Sequence, residues 1–514
     1  MLRSRLPQLS ALSLFTKSSS TRIISTKFPF SPFSTYHPPY QPFPSNFLLQ
    51  RTHFSSPQTS LSFYTSAFRQ CQQSLYGRRC TSNLTSNPDQ LALSPPIISK
   101  HLMLVASLVF TIVVVGGYTR LTESGLSITE WNLVSGILPP LSPEDWETEF
   151  GKYRATPEFK LLNHGMGLEE FKKIFFWEWA HRIMGRVIGL SFLLPIPFFI
   201  RFGLIRSKKT GWSLAAIGSL IGCQGLLGWY MVQSGLDQDE LDQRDGVPRV
   251  SQYRLAAHLI MAFTVYSTCI RLAGGLWRDW KLAVEGRPLF HRLNRHQISS
   301  ALESIQVLNN KLPSRARFFI GSLTGLIFLT AASGGFVAGL DAGLVYNTFP
   351  KMGDRWIPAQ TELFSSLYTN RGKPVGLLEA ERERSLLDLS WMRNVFENPT
   401  TVQFNHRVLG SLTFISSISW AMFIEKNKNL VPRSTLNLSR LMALVASNQL
   451  ALGIGTLVYL VPTSLALLHQ ANSLLLLSVS LLAGLSLRRP GALALKSFYK
   501  LQSNALLVKH PNTR

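Results

Sequence analysis

Four histidines occupy matching places in two stretches of this chain, His181 and His258 in the first and His406 and His469 in the second. His181 and His406 are each followed by an arginine, Arg182 and Arg407, and then by a glycine, Gly185 and Gly410. Neutral imidazole is the commonest protein metal ligand. Two of them on facing helices of a four-helix bundle can grip one centre across its core. The object that fits is a planar metallo-ring, because haem iron takes axial imidazole and the ring fills a bundle otherwise lined by Leu, Gly and Phe. Zinc would want a third or fourth protein ligand, and neither half offers a convergent Cys or Asp in its apolar segments. A single histidine in an apolar helix is equally well read as a buried, hydrogen-bonded residue. Four at repeat-equivalent positions and a common depth point to haem as cofactor.

The arginine forks suit bidentate pairing with a haem propionate. Interfacial snorkelling accounts for them too, and at least as well for the nearby Arg120. Glu178 lies one helical turn before His181, and the equivalent position of the second half is Gln403. A carboxylate beside one metal site and an amide beside the other suggests different jobs. Oxidation at a porphyrin substituent releases protons and passes through electron-poor species, which a carboxylate can accept or stabilise. Glu178 would then be the catalytic residue of a reacting site, and the second half would hold a resident electron-transfer haem. The alternative is a helix-start residue paired with Arg182.

These residues need helices in lipid to position them. The chain has 514 residues, is only 16% charged and 46% hydrophobic, and carries 52 Lys+Arg against 28 Asp+Glu. So low a charge fraction points to a membrane as the main solvent. Four cysteines in so long a chain exclude a disulfide scaffold, and the net charge of +24 does not imply nucleic acid, because of where the charges sit. Met1 to Pro88 has no acidic residue and scattered arginines in Ser/Thr/Pro/Phe-rich sequence, the make-up of an organelle transit peptide over 1–90, mitochondrial in this reading, or of a disordered basic N-terminus.

Segments long enough to span a bilayer centre on 101–119, 179–201, 211–235, 255–277, 317–340, 404–424, 439–461 and 464–487. Leu441 to Leu487 lacks any Asp, Glu, Lys or Arg, and one straight helix there would run about 70 Å, over twice the hydrocarbon thickness. Pro462 is the natural break. Basic connections, among them 278–316 and the tail 489–514, alternate with acidic or balanced ones, so the basic side and both termini face inward.

The chain also matches itself. Gly116-Gly117 and Glu123 correspond to Gly334-Gly335 and Asp341 at an offset of 218, and His181, Gln224 and Gly228 to His406, Gln449 and Gly453 at 225. The expectation is an all-α integral membrane protein whose eight transmembrane helices form two parallel-repeat four-helix bundles, 100–277 and 317–488. All four histidines then lie near the outer face. Trp131, Trp177, Trp179 and Trp356 fit an interfacial aromatic belt or a cover over a ring face. The duplicated helices with Gln224 and Gln449 at mid-membrane would also suit a transporter.

The motifs GGYTRLTESGLSITEWNLVSGILPP, EWAHRIMGRVIG and FNHRVLG, with the paired late histidines, closely resemble the heme A synthase family from about 100 to 488. The resemblance implies a mitochondrial inner-membrane oxidoreductase that converts the position-8 methyl of heme O to the formyl of heme A. It proceeds by two hydroxylations, the second giving a geminal diol that loses water. By resemblance, His181 and His258 hold the substrate haem, His406 and His469 a resident heme b, and Glu178 matches the family's Glu-x-x-His carboxylate. A matrix ferredoxin-type donor is implied, with heme O synthase and the cytochrome c oxidase assembly machinery as further partners. Some bacterial relatives carry a cysteine pair in outer loops that this chain lacks, which weakens any thiol-based step here. A b-type cytochrome linked to quinol would share the four histidines without needing the Glu178/Gln403 difference.

Overall fold

The computed structural model describes residues 93–131, 138–236, 249–285, 305, 307–308, 311–369 and 391–499. The transit-peptide segment, most of the 278–316 connection and the end of the tail lie outside the described residues.

Among the described residues, eight helices are long and apolar enough to cross a membrane. They are α1 (Pro96–Leu121), α2 (Leu168–Leu193, running on as Pro195–Arg201), α3 (Lys208–Gly235), α4 (Gln252–Glu285), α5 (Lys311–Gly339), α6 (Pro399–Lys426), α7 (Arg433–Val458) and α8 (Thr463–Ser486). No β-strand occurs among the described residues.

Proline sets several starts. Pro96 and Pro399 open α1 and α6, where the missing N–H costs nothing, and the Asn398 side chain caps α6 by accepting from Thr400 N–H. Pro462 caps α8, and Leu460 and Val461 before it turn through the left-handed region, so the long apolar run folds back where expected.

Hydropathy locates the spans, and side-chain size selects the inner stripe. On α1 the residues Ile98, Leu102, Val105, Val109 and Val113 are buried at three- and four-residue spacing. They join Phe263, Tyr266, Ile270 and Ala273 of α4, Ile320, Leu323 and Ile327 of α5, and Leu474, Leu477 and Leu481 of α8 in one core. The opposite faces are apolar and exposed, as at Leu190, Phe198, Phe318 and Leu444, which suits lipid rather than water. Hydroxyls within these helices donate back to the preceding turn, as Thr264 does to Ile260 O and Thr324 to Ile320 O, which spares them an unmet hydrogen bond in hydrocarbon.

Helix α1 packs on α2 and α4, and α3 packs mainly on α4. In the second half α5 packs on α6 and α8, and α7 on α6 and α8. Across the middle α4 meets α5 and α8, and α1 meets α8. Gly335 and Gly339, four residues apart on α5, sit against Ala256 and Gln252 of α4, where a Cβ would come within 3.2 and 2.7 Å. This small-residue seam lets the two backbones approach. Helix α3 is thinly held by comparison. Its fully buried residues, Thr210, Leu214, Ile217, Ser234 and Gly235, cluster at its two ends.

Candidate functional site

All the residues singled out above, His181, His258, His406, His469, Glu178, Arg182 and Arg407, line one cavity of about 1200 Å³ that also takes in Gln224, Gln403 and Gln449. That exceeds the roughly 300–1,000 Å³ of an ordinary small-molecule pocket. His406 and His469 face each other with ring centres 6.4 Å apart and planes at 80°. A metal–imidazole bond of about 2.0–2.1 Å puts a metal about 3.2 Å from each ring centre, so two such rings sharing one centre stand about 6.4 Å apart. Among the described residues no group of three or more His, Cys, Asp or Glu that could hold a metal ion converges.

Each histidine rests on a glycine of a neighbouring helix. A Cβ at Gly116 would lie 3.0 Å from His181, one at Gly228 3.1 Å from His258, one at Gly334 3.3 Å from His406 and one at Gly453 2.8 Å from His469. These glycines look in the sequence like markers of the repeat. Their physical reason is that the ring takes the place of a side chain. The Nδ1 atoms of His258 and His469, Oε1 of Gln224 and Nε of Arg407 are buried without a hydrogen-bond partner. A polar-edged ring ligated by the histidines fits this cradle.

The two arginines hold loops. Arg182 pairs with Glu178 at 2.7 Å, donates to the Ile128 and Glu130 carbonyls at 2.8 Å each, and lies 5.1 Å from the Trp131 ring centre. Arg407 donates to the Tyr346 and Thr348 carbonyls at 2.8 and 2.9 Å. The propionate expectation is therefore joined by a second task that both arginines perform. Glu178 accepts from Arg182 on one oxygen and from the Ser127 hydroxyl and Ile128 N–H, at 2.7 and 2.9 Å, on the other. It is a fully satisfied, buried carboxylate. Gln403, its counterpart, donates to the Tyr346 carbonyl at 3.1 Å. Arg120 is engaged by Asp341 at 2.8 Å, and Arg249 takes the other oxygen of that carboxylate at 3.3 Å.

Gln224 and Gln449 attend the histidines. Gln224 donates to the His258 carbonyl at 3.1 Å, and Gln449 lies 3.4 Å from His469 Nε2. Trp177 packs against Tyr118 with centroids 4.2 Å apart, while Trp356 is exposed. Cys223 is exposed and Cys269 buried.

Several residues of the site gave no strong sequence signal. The short helices Pro143–Arg154 and Pro157–Leu161 fold the 120–178 connection onto the start of α2 through Phe150, Tyr153, Phe171 and Phe175. They bury Glu158 in the cavity wall with Oε2 unpartnered. Burial, then the charges of Glu178 and Glu123, push its carboxyl up to about 8. Ser333, just before the paired glycines, lies 2.7 Å from His406 Nδ1. Gln470, next to His469, donates to the Val113 carbonyl of α1 at 2.9 Å and fills the space over Gly117.

A family model described as cytochrome oxidase assembly protein, COX15-CtaA, matches residues 99–481. A relative named heme A synthase COX15 from Saccharomyces cerevisiae is 43% identical over 412 residues, 79% of each chain. Its namesake in Bos taurus is 42% identical over 414 residues, 79% of this chain and 87% of that one. A heme A synthase–mitochondrial ferredoxin fusion protein of Schizosaccharomyces pombe is 40% identical over 380 residues, 73% of this chain and 57% of that one.

Proposed function

Because the chain belongs to this family of cytochrome oxidase assembly proteins, whose matched members are named heme A synthases, we propose that it converts heme O to heme A. The substrate is held by His181 and His258, and its position-8 methyl is oxidised to formyl by successive hydroxylations. His406 and His469 hold a b-type haem. The observation that carries this reading is the 6.4 Å spacing of the second imidazole pair in a cavity that both halves line.

The resident haem supplies one-electron transfer. The chain's own residues do the positioning. Gly116, Gly228, Gly334 and Gly453 set the imidazoles. Glu178, with both oxygens accepting, acts as a fixed negative charge one turn from His181, stabilising positive charge developing on the substrate rather than carrying a proton. Arg182 and Arg407 close the connecting loops over the cavity and keep water out. The protein then sits in the mitochondrial inner membrane with both termini in the matrix and the haem sites toward the intermembrane space, an orientation that the alternation of basic connections supports. The natural fusion to a ferredoxin supports a ferredoxin as electron donor.

The test is to reconstitute the full chain in aerated vesicles with ferredoxin, its reductase, a reduced nicotinamide and heme O, and to extract the pigments. Heme A is the expected product. Unchanged heme O beside two permanently retained b haems would mean an electron-transfer cytochrome instead.

A further inference from the structure

The two imidazole pairs are held differently, and we propose that Ser333 is the positioning residue that makes the second-half site a permanent haem site, whereas Val115 in the equivalent place leaves the first-half site exchangeable. This rests on the haem assignment above. A hydroxyl has one proton to give and lone pairs to accept with. Ser333 gives its proton to the Thr330 carbonyl at 2.7 Å, so toward His406 Nδ1, also at 2.7 Å, it can only accept. The proton of His406 is thereby fixed on Nδ1, and Nε2 keeps the lone pair that binds a metal. Metal-bound histidines nearly always donate their other N–H to such a partner, which orients the ring and raises its basicity.

At an offset of 218 the first half has Val115 where the second has Ser333, and it keeps the following glycine. Valine offers no acceptor, so the His181 ring is shaped by Gly116 without being set in one tautomer. At His258 and His469, whose Nδ1 atoms both lack a partner, the halves differ in the neighbouring amide instead. Asn472 donates to Gln449 Oε1 at 2.8 Å and accepts from Asn448 at 2.9 Å, holding the amide beside His469. The equivalent first-half positions are Cys223 and Met261, and the Gln224 oxygen is left without a partner. His406 has polar backing at Nδ1 that His258 and His469 lack. A site that must release its product gains from ligands that lack it.

The experiment uses full-length protein loaded with haem b and then challenged with a haem-scavenging apoglobin, following the Soret band over time. In the unaltered chain a slowly released haem is expected, and His406→Ala removes it. Ser333→Val, which imports the first-half residue, should speed that release about 10–100-fold and shift the low-spin spectrum. Ser333→Thr, which keeps the hydroxyl, should restore both, and Val115→Ser should slow release from the first half. Should Ser333→Val fold poorly, Ser333→Ala makes the same comparison with a smaller side chain. A release rate and spectrum unchanged by the loss of the hydroxyl, in a protein where His406→Ala abolishes the slow phase, would overturn the role of Ser333 alone. A slow phase that survives His406→Ala would overturn the haem assignment as well.

Discussion

Substituting Gly453 by alanine separates the cradle from the fold. The added methyl would sit 2.8 Å from Cε1 of His469 and 3.4 Å from its Nδ1. Carbon atoms rest at about 3.5–4.0 Å, so the imidazole must retreat by roughly 0.7–1.2 Å. Metal–ligand distances tolerate about ±0.2 Å. The 6.4 Å between the His406 and His469 ring centres leaves no slack to absorb the shift. For the fold the effect is modest. Alanine gains about 1 kcal/mol over glycine in a helix, while overpacking costs about 1–3 kcal/mol. The net change lies between zero and about 2 kcal/mol, too small to unfold the chain. Gly321, with nothing within 4 Å of its added Cβ, is the control. In detergent, Gly453→Ala should melt within a few degrees of the parent yet bind substoichiometric haem with a displaced Soret band, while Gly321→Ala keeps both. Full haem occupancy with an unshifted band in Gly453→Ala would refute the claim that the glycine exists to seat the imidazole.

Glu178→Gln should keep haem bound and lower heme A formation at least tenfold, because it removes the charge and leaves Arg182 without its buried partner; pigment extraction decides, and normal turnover would count against the fixed-charge role. His406→Ala should remove the second-half haem signal, read by absorbance. Glu158, raised from 4.5 to about 8, binds its proton more tightly folded than unfolded, so local stability is highest below about 4.5 and declines as pH climbs through 8. Proteolysis of the Pro143–Leu161 region across that window should show the decline, and Glu158→Gln should flatten it.

The eight spans were legible because bilayer thickness fixes a length that hydropathy measures. Their ends were not. Helix α2 starts at Leu168, well before the expected 179, because Glu169, Glu170, Lys172 and Lys173 continue the helix outside the apolar segment. The histidines stood out by type and by repetition. Arg182 and Arg407 were visible, but their loop carbonyl partners depend on the path of connections that have no period to read. Ser333 was hidden among the many serines and threonines of the spans, most of which only bond their own helix. The comparison of the two halves that exposed Glu178 against Gln403 would have exposed Ser333 against Val115 too.

The sparse anchoring of α3 bears on traffic. Its middle, around Cys223 and Leu226, has no fully buried residue, yet Gly228 on that same stretch touches His258. Swinging this segment aside would forfeit little interior packing and would open the cavity sideways, beside His258, to the surrounding fatty acyl chains. An oily macrocycle could then be admitted and discharged without ever crossing the aqueous rim, through a door hinged where the helix is pinned, at its two tips.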